Sequence, residues 1–281
     1  MTLFPGIVTD KARPDRCALT TSPELLTPPA SPEPRFVTLP DVRHRFRGKR
    51  PGGLEGAIIH YDAGRTANRD GASDPDYGAR ATLRHGQRNG YAYCAVALDG
   101  TILLPANMEW TRWGSHAGVS TCPATKRKWV SQFYVGFEVN CPGLVYPTDE
   151  PGVFVPWFNA VRDAQGIVQL DGKGRARRIS ATDISFARND LVHIAGSPSN
   201  MRDGFYAPFS PAQIDALTSA MLWLKREFAP TFRLERVFGH DEVSPGRKID
   251  PGGSLGMSMQ AFRAKLLKTH AEMPRQARRS C

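Results

Sequence analysis

The sequence contains no apolar run near the roughly 18 residues that a membrane-spanning helix needs. Its first residues, MTLFPGIVTDKARPDRC, lack a basic stretch followed by an apolar one, so a standard secretory signal is not visible. There is no CxxC pair. The five cysteines (Cys17, Cys94, Cys122, Cys141 and Cys281) are scattered and odd in number. That argues against a disulfide framework and against a cysteine zinc cluster. Cys94 lies in an apolar run and reads as a small buried hydrophobe. Acidic residues are outnumbered: 27 Asp and Glu against 37 Lys and Arg leave a net charge of +10. Such a balance favours anionic partners such as nucleic acid, anionic lipid or acidic wall polymers, or serves solubility alone. The basic clusters, RHRFRGKR (43–50), Lys126–Lys128, RARR (175–178) and RQARR (275–279), are not accompanied by an aromatic-interleaved nucleic-acid motif. Nucleic acid is therefore not expected as the partner.

What is present is enough apolar material for one large domain. Residues 1–52 read as an arm, because TSPELLTPPASPEPRF is rich in Pro, which removes backbone donors. The compact part, 53–270, opens with GAIIHYD (56–62), a buried strand by its short apolar run. YAYCAVALDGTILLP (91–105) reads as a hairpin turning at Asp99-Gly100. QFYVGFEVNCPG (132–143) reads as a central strand. Residues 144–208 are taken as an insertion with a small β element, with short strands at GIVQL (166–170) and DLVHIAG (190–196). In FSPAQIDALTSAMLWLKREF, Ser210 is a candidate N-cap, Pro211 suits the first helical position and Gln213 completes a capping box. Ile214, Leu217, Met221, Leu224 and Phe228 then recur on one face. RLERVFGH (233–240) reads as a strand, SMQAFRAKLLKTH (258–270) as a helix, and 271–281 as a basic tail. The irregular alternation predicts a mixed α/β fold with helices packed on a mixed sheet.

The stretch FGHDEVSPGRKIDPGG (238–253) places a His, a Lys and an Asp in a Pro- and Gly-broken segment that does not suit a regular helix. His60 stands at the end of a predicted strand, and His240 follows another. With Asp250 they make two imidazoles and a carboxylate, the three-ligand set of catalytic zinc sites, in which a fourth position stays open. That donor set suits zinc better than calcium or magnesium. By spacing alone, a strand His is more often a hydrogen-bonded structural residue.

AIIHYDAG, YAYCAVALDGTI, WGSHAGVS, YVGFEVNCPG and GHDEVSPGRKIDPG occur here in the order found in the zinc-dependent N-acetylmuramoyl-L-alanine amidases, which the sequence resembles over about 56–143 and 209–265. The resemblance implies the type 2 amidase fold, shared with peptidoglycan-recognition proteins: a central mixed β-sheet flanked by helices. It implies one zinc ion held by His60, His240 and Asp250. It implies Glu138 as general base, closest to the muropeptide-recycling branch, and Lys248 as the cation beside the metal. It implies His116 in the substrate cleft. Tyr93 stands where many relatives carry His or Asn, and is placed with the substrate-binding residues. Ala92 occupies the position of the tyrosine used by another branch, which favours Glu138. Trp110 and Trp113 fit either a sugar or peptide groove or core packing, and Trp113 is counted with the substrate contacts. His44, His85, His193 and His270 have no partner pattern and read as structural or surface residues. The implied reaction is hydrolysis of the amide between N-acetylmuramic acid and L-alanine, with peptidoglycan or muropeptides as partner. The settings that fit are a phage endolysin, an exported antibacterial effector or a cytoplasmic recycling enzyme. The competing class is a non-catalytic wall-recognition module; retention of all three ligand positions favours an enzyme.

Overall fold

The computed structural model describes residues 33–66, 74–196 and 201–274. Most of the expected arm (1–32, with Cys17) and of the basic tail (275–281, with Cys281) lie outside the described residues. In chain order the strands are β1 (Phe36–Leu39), β2 (Gly56–Tyr61), β3 (Cys94–Val96), β4 (Ile102–Pro105), β5 (Tyr134–Val139), β6 (Leu144–Pro147), β7 (Val153–Pro156), β8 (Phe186–Ala187), β9 (Val192–Ile194), β10 (Gly204–Tyr206) and β11 (Val237–Gly239). The helices are α1 (Tyr77–Asn89), α2 (Pro211–Glu227), the single turn α3 (His240–Val243) and α4 (Met259–Glu272).

The main sheet has the order β1-β4-β3-β5-β2-β11. Only the β3–β4 hairpin is antiparallel; β1–β4, β3–β5, β5–β2 and β2–β11 are parallel. Parallel strands are buried on both faces. Accordingly Ile58 and Ile59, which point to opposite sides, are both fully buried. One face packs on α2 and α4 through Leu217, Met221, Leu224, Phe262 and Leu266, against Ile59, Val96 and Phe137. The other packs on α1, where Ala79 and Leu83 meet Ala95 and Leu103. Truncating a fully buried leucine such as Leu217 to Ala costs about 2–5 kcal/mol.

The α2 start is as its sequence predicts. Ser210 Oγ accepts from Gln213 N (3.1 Å) and Gln213 Oε1 accepts from Ser210 N (2.9 Å). Four findings differ from the sequence reading. Phe36–Leu39, placed in the arm, is an edge strand beside β4. GIVQL forms only isolated bridges within a pair of tight turns, because Asp163 and Asp171 each draw backbone N–H groups into local hydrogen bonds. The insertion carries a full second sheet, antiparallel, in the order β8-β7-β6-β10-β9. The His240 segment begins with one helical turn, α3, before it breaks. Among the described residues no helix is long and apolar enough to cross a membrane.

Candidate metal centre

Strand register brings the site together. Ile59 of β2 pairs with Gly239 of β11, so the next residues, His60 and His240, leave adjacent parallel strands at the same level. On the other side His60 pairs with Glu138 of β5. Three neighbouring strands therefore deliver His240, His60 and Glu138 in a row. Loops at the carboxyl ends of parallel strands are where such sheets hold ligands. Asp250 returns to this row after α3, fixed by Asp241 N donating to its carbonyl oxygen at 2.8 Å.

His60 Nδ1 lies 2.9 Å from His240 Nδ1 and 3.0 Å from Asp250 Oδ2; His240 Nδ1 lies 3.0 Å from the same oxygen. All three residues are buried. Their partners fix which ring nitrogens carry hydrogen. His240 Nε2 faces the Ala117 carbonyl at 3.2 Å, which can only accept, so Nε2 is the donor. His116 Nε2 likewise donates to the Tyr134 carbonyl at 2.9 Å, leaving its Nδ1 free to accept from His60 Nε2 at 3.3 Å. In the neutral rings the Nδ1 atoms of His60 and His240 are thus bare. Two lone pairs and a carboxylate oxygen converge with no proton among them, an arrangement that a cation resolves.

The charges agree. Burial, then the His240 ring, lowers the His60 pKa to about 4, so the imidazole is neutral at physiological pH. Burial and the neighbouring His60 also hold His116 well below its usual value. For Asp250, burial acts upward, but the close approach of the His240 and His60 rings outweighs it and holds the carboxyl below the ordinary carboxylate range. Two imidazole nitrogens and one carboxylate oxygen within 4.8 Å of one another can hold a metal ion.

Glu138 Oε1 stands 3.9 Å from His60 Nδ1. Burial raises its pKa well above that of an ordinary carboxylate, the Asp250 and Asp62 charges add to this, and Lys248 opposes it. Lys248, His116, Tyr93 and Glu138 line one cleft of about 940 Å³ with His60, His240 and Asp250. Tyr93 is 4 % exposed and its hydroxyl donates to Thr82 O at 3.0 Å. Trp113, expected at the substrate, does not line the cleft; the Arg47 guanidinium lies over its ring at 5.1 Å. His85, read as structural or surface, does line it. His44 is buried against α1, and His193 stacks on Phe205.

The sequence profile of the N-acetylmuramoyl-L-alanine amidases matches residues 49–253. The chain belongs to this family. It is an amidase of the bond between N-acetylmuramic acid and L-alanine. Among solved structures, a selenomethionine derivative of AmpD aligns with a TM-score of 0.42 at 17 % identity, covering 83 % of this chain and 93 % of that one. AmiD from E. coli, in complex with anhydro-N-acetylmuramic acid-L-Ala-D-γ-Glu-L-Lys, gives 0.39 at 16 %, covering 80 % and 61 %. The endolysin amidase LysCS from Clostridium intestinale gives 0.40 at 13 %, covering 84 % and 98 %. No curated protein matches the amidase in sequence.

Two parts of this amidase's site were not singled out in the sequence. Asp62, two residues beyond His60, accepts from Gly64 N (2.8 Å), Asn140 Nδ2 (3.0 Å) and Cys141 N (3.0 Å). It ties the end of β2 to the end of β5. Arg247 donates to the carbonyls of Ala117 (3.0 Å) and Val119 (3.1 Å), pinning the His116 loop to the segment that carries Asp250. An acid following the ligand on the same strand, and an Arg beside Lys248, were the available signals.

Proposed function

We propose that the amidase is a one-zinc hydrolase, with His60, His240 and Asp250 as ligands, Glu138 as general base and Lys248 as the oxyanion partner. The observation that carries this is the convergence of two bare Nδ1 atoms and one carboxylate oxygen at 2.9–3.0 Å beside a half-buried glutamate. Bound zinc supplies a Lewis acid and lowers the pKa of water toward about 7.

The residues of the chain do the rest. Glu138, as a carboxylate made more basic by burial, takes a proton from the water that attacks the lactyl carbonyl carbon. Lys248 faces the oxygen as it gains charge; one such donor contributes roughly 3 kcal/mol. The C–N bond then breaks, and Glu138 returns the proton to the departing alanine nitrogen. His116 and Tyr93 belong to the substrate-lined wall in this reading, with His116 also holding the His60 ring. The catalytic unit is 53–270 with 144–208 inserted, and β1 completes its sheet from outside that boundary.

Peptidoglycan or its fragments are the partner. A net charge of +10 suits an anionic wall and supports a lytic setting. Mass spectrometry of products from sacculi and from soluble muropeptides, with and without chelator, tests the proposal. Free stem peptide that disappears with chelator and returns with zinc is expected. Undiminished release after stripping removes the zinc assignment, and no release in any condition removes the hydrolase.

A further inference from the structure

The inserted sheet is attached to the catalytic cleft at one place. After β7 the chain makes a 3-10 turn at Trp157–Asn159. Trp157 Nε1 donates to Ala63 O at 2.7 Å, and Ala63 takes a left-handed backbone (φ 52°) that a non-glycine residue rarely adopts. Next to it, Arg65 pairs with Asp183 through two contacts and lies over the Phe158 ring at 4.5 Å. Ala63 and Arg65 directly follow the ligand strand and line the cleft, as does Trp157. The Arg162 guanidinium covers the Trp157 ring at 4.7 Å without itself lining the cleft. The indole is therefore held by its N–H and backed by a cation on the side away from the cleft. Yet it stays 37 % exposed.

Helix α1 gives the cleft a direction. Tyr77, Gly78, Ala81, Thr82, His85 and Arg88 line it, the spacing of one helical face. Gly78 approaches Arg65 so closely that a Cβ would stand 2.1 Å from the Arg65 carbonyl oxygen, so this end of the helix meets the Trp157 end of the cleft. Arg88 stands roughly 15 Å further along the axis, at about 1.5 Å per residue. The cations that line the cleft differ between its two ends. At the Trp157 end, Arg65 is neutralised by Asp183. At the far end, Arg88 has no ion-pair partner among the described residues.

We infer that Trp157, presented by the inserted sheet, is a specificity-determining residue that stacks a neutral pyranose ring of the glycan, while the Arg88 end receives the carboxylates of the stem peptide. A flat aromatic face suits the C–H face of a sugar, and the cation that lines the cleft beside it, Arg65, already holds a carboxylate. The inference rests on the amidase reading and deepens it.

The disaccharide of N-acetylglucosamine and N-acetylmuramic acid, without peptide, lacks the lactyl–alanine amide and every stem-peptide group, so its binding reads the glycan end. Binding of this disaccharide and of the free stem peptide is measured by calorimetry for the zinc-loaded protein, Trp157→Ala and Trp157→Phe. Trp157→Ala is expected to weaken the disaccharide about tenfold and the peptide less than twofold; Trp157→Phe, which keeps an aromatic face, is expected to retain most of the affinity. Equal weakening of both ligands makes Trp157 only a staple of the Ala63 loop and overturns the inference. So does undiminished disaccharide binding in Trp157→Ala, or a wild-type enzyme that cuts wall material but does not bind the disaccharide. A wild-type protein that releases no stem peptide sinks the hydrolase reading instead, and is told apart by that assay.

Discussion

Gly136 lies directly against the His116 ring: a Cβ at position 136 would stand 2.7 Å from its Cγ and Nδ1. That close approach matters because His116 Nδ1 accepts from His60 Nε2 and so keeps the opposite nitrogen of His60 bare for a metal. The glycine in the middle of β5 is thus a condition for the ligand geometry one strand away.

Gly136→Ala is expected to push the His116 ring aside, and His116→Ala to remove it. Both leave the three ligands in the chain but free the His60 tautomer. Loss of such an outer partner costs about 10–100-fold in metal affinity. Competition with a chromogenic chelator measures it. Wild-type affinity in both variants would show that His60 is oriented by something else.

Glu138→Gln keeps the shape of the side chain and removes its ability to take a proton. Metal content by elemental analysis is expected to stay at the wild-type level, while kcat falls by about 10²–10⁴, the range for a lost general base. A variant that retains metal and turns over within tenfold of wild type returns the base role to another group.

How much of this was visible beforehand differs by element, for physical reasons. That His60, His240 and Asp250 come together was legible from motifs that resemble those of the amidases; by spacing alone they were a weak signal, because they lie far apart in the chain. Helix α1 was not legible. Its buried residues are Gly78, Ala79, Leu83 and Gly86, too small to give a periodic pattern of large apolar side chains. The second sheet was only half legible, since its strands are two to four residues long, too short for alternation to declare itself. The support of His60 by His116 depends on which nitrogen carries hydrogen, and three-dimensional partners decide that.

His44 is buried, with Nε2 facing the Leu83 carbonyl at 2.9 Å and Nδ1 accepting from Tyr93 N at 3.3 Å. Burial lowers its pKa below the ordinary histidine value, with those two contacts opposing. The unfolded chain therefore binds this proton more readily than the folded one. The contribution of neutral His44 to stability is full above pH about 6.5 and is lost as the pH falls through the lowered folded value. Thermal melts of zinc-loaded wild type between pH 7.5 and about 5 should fall, and those of His44→Gln should fall less over the same interval. Parallel slopes would assign the acid sensitivity to other groups.

Asp250 supplies the only negative charge among the three ligands. A metal that binds the folded state alone stabilises it by about 4 kcal/mol at a thousandfold excess over its Kd. Wild-type protein stripped by chelator should therefore melt at lower temperature and recover on titration with zinc. In Asp250→Ala two imidazoles remain, and the backbone carbonyl at 250 still accepts from Asp241 N. The local fold has its anchor, so the variant should melt near stripped wild type. It should not respond to zinc at concentrations that saturate the wild type. A full zinc-dependent rise in Asp250→Ala would remove this residue from the ligand set, and would leave Glu138, 3.9 Å from His60 Nδ1, as the carboxylate to test next.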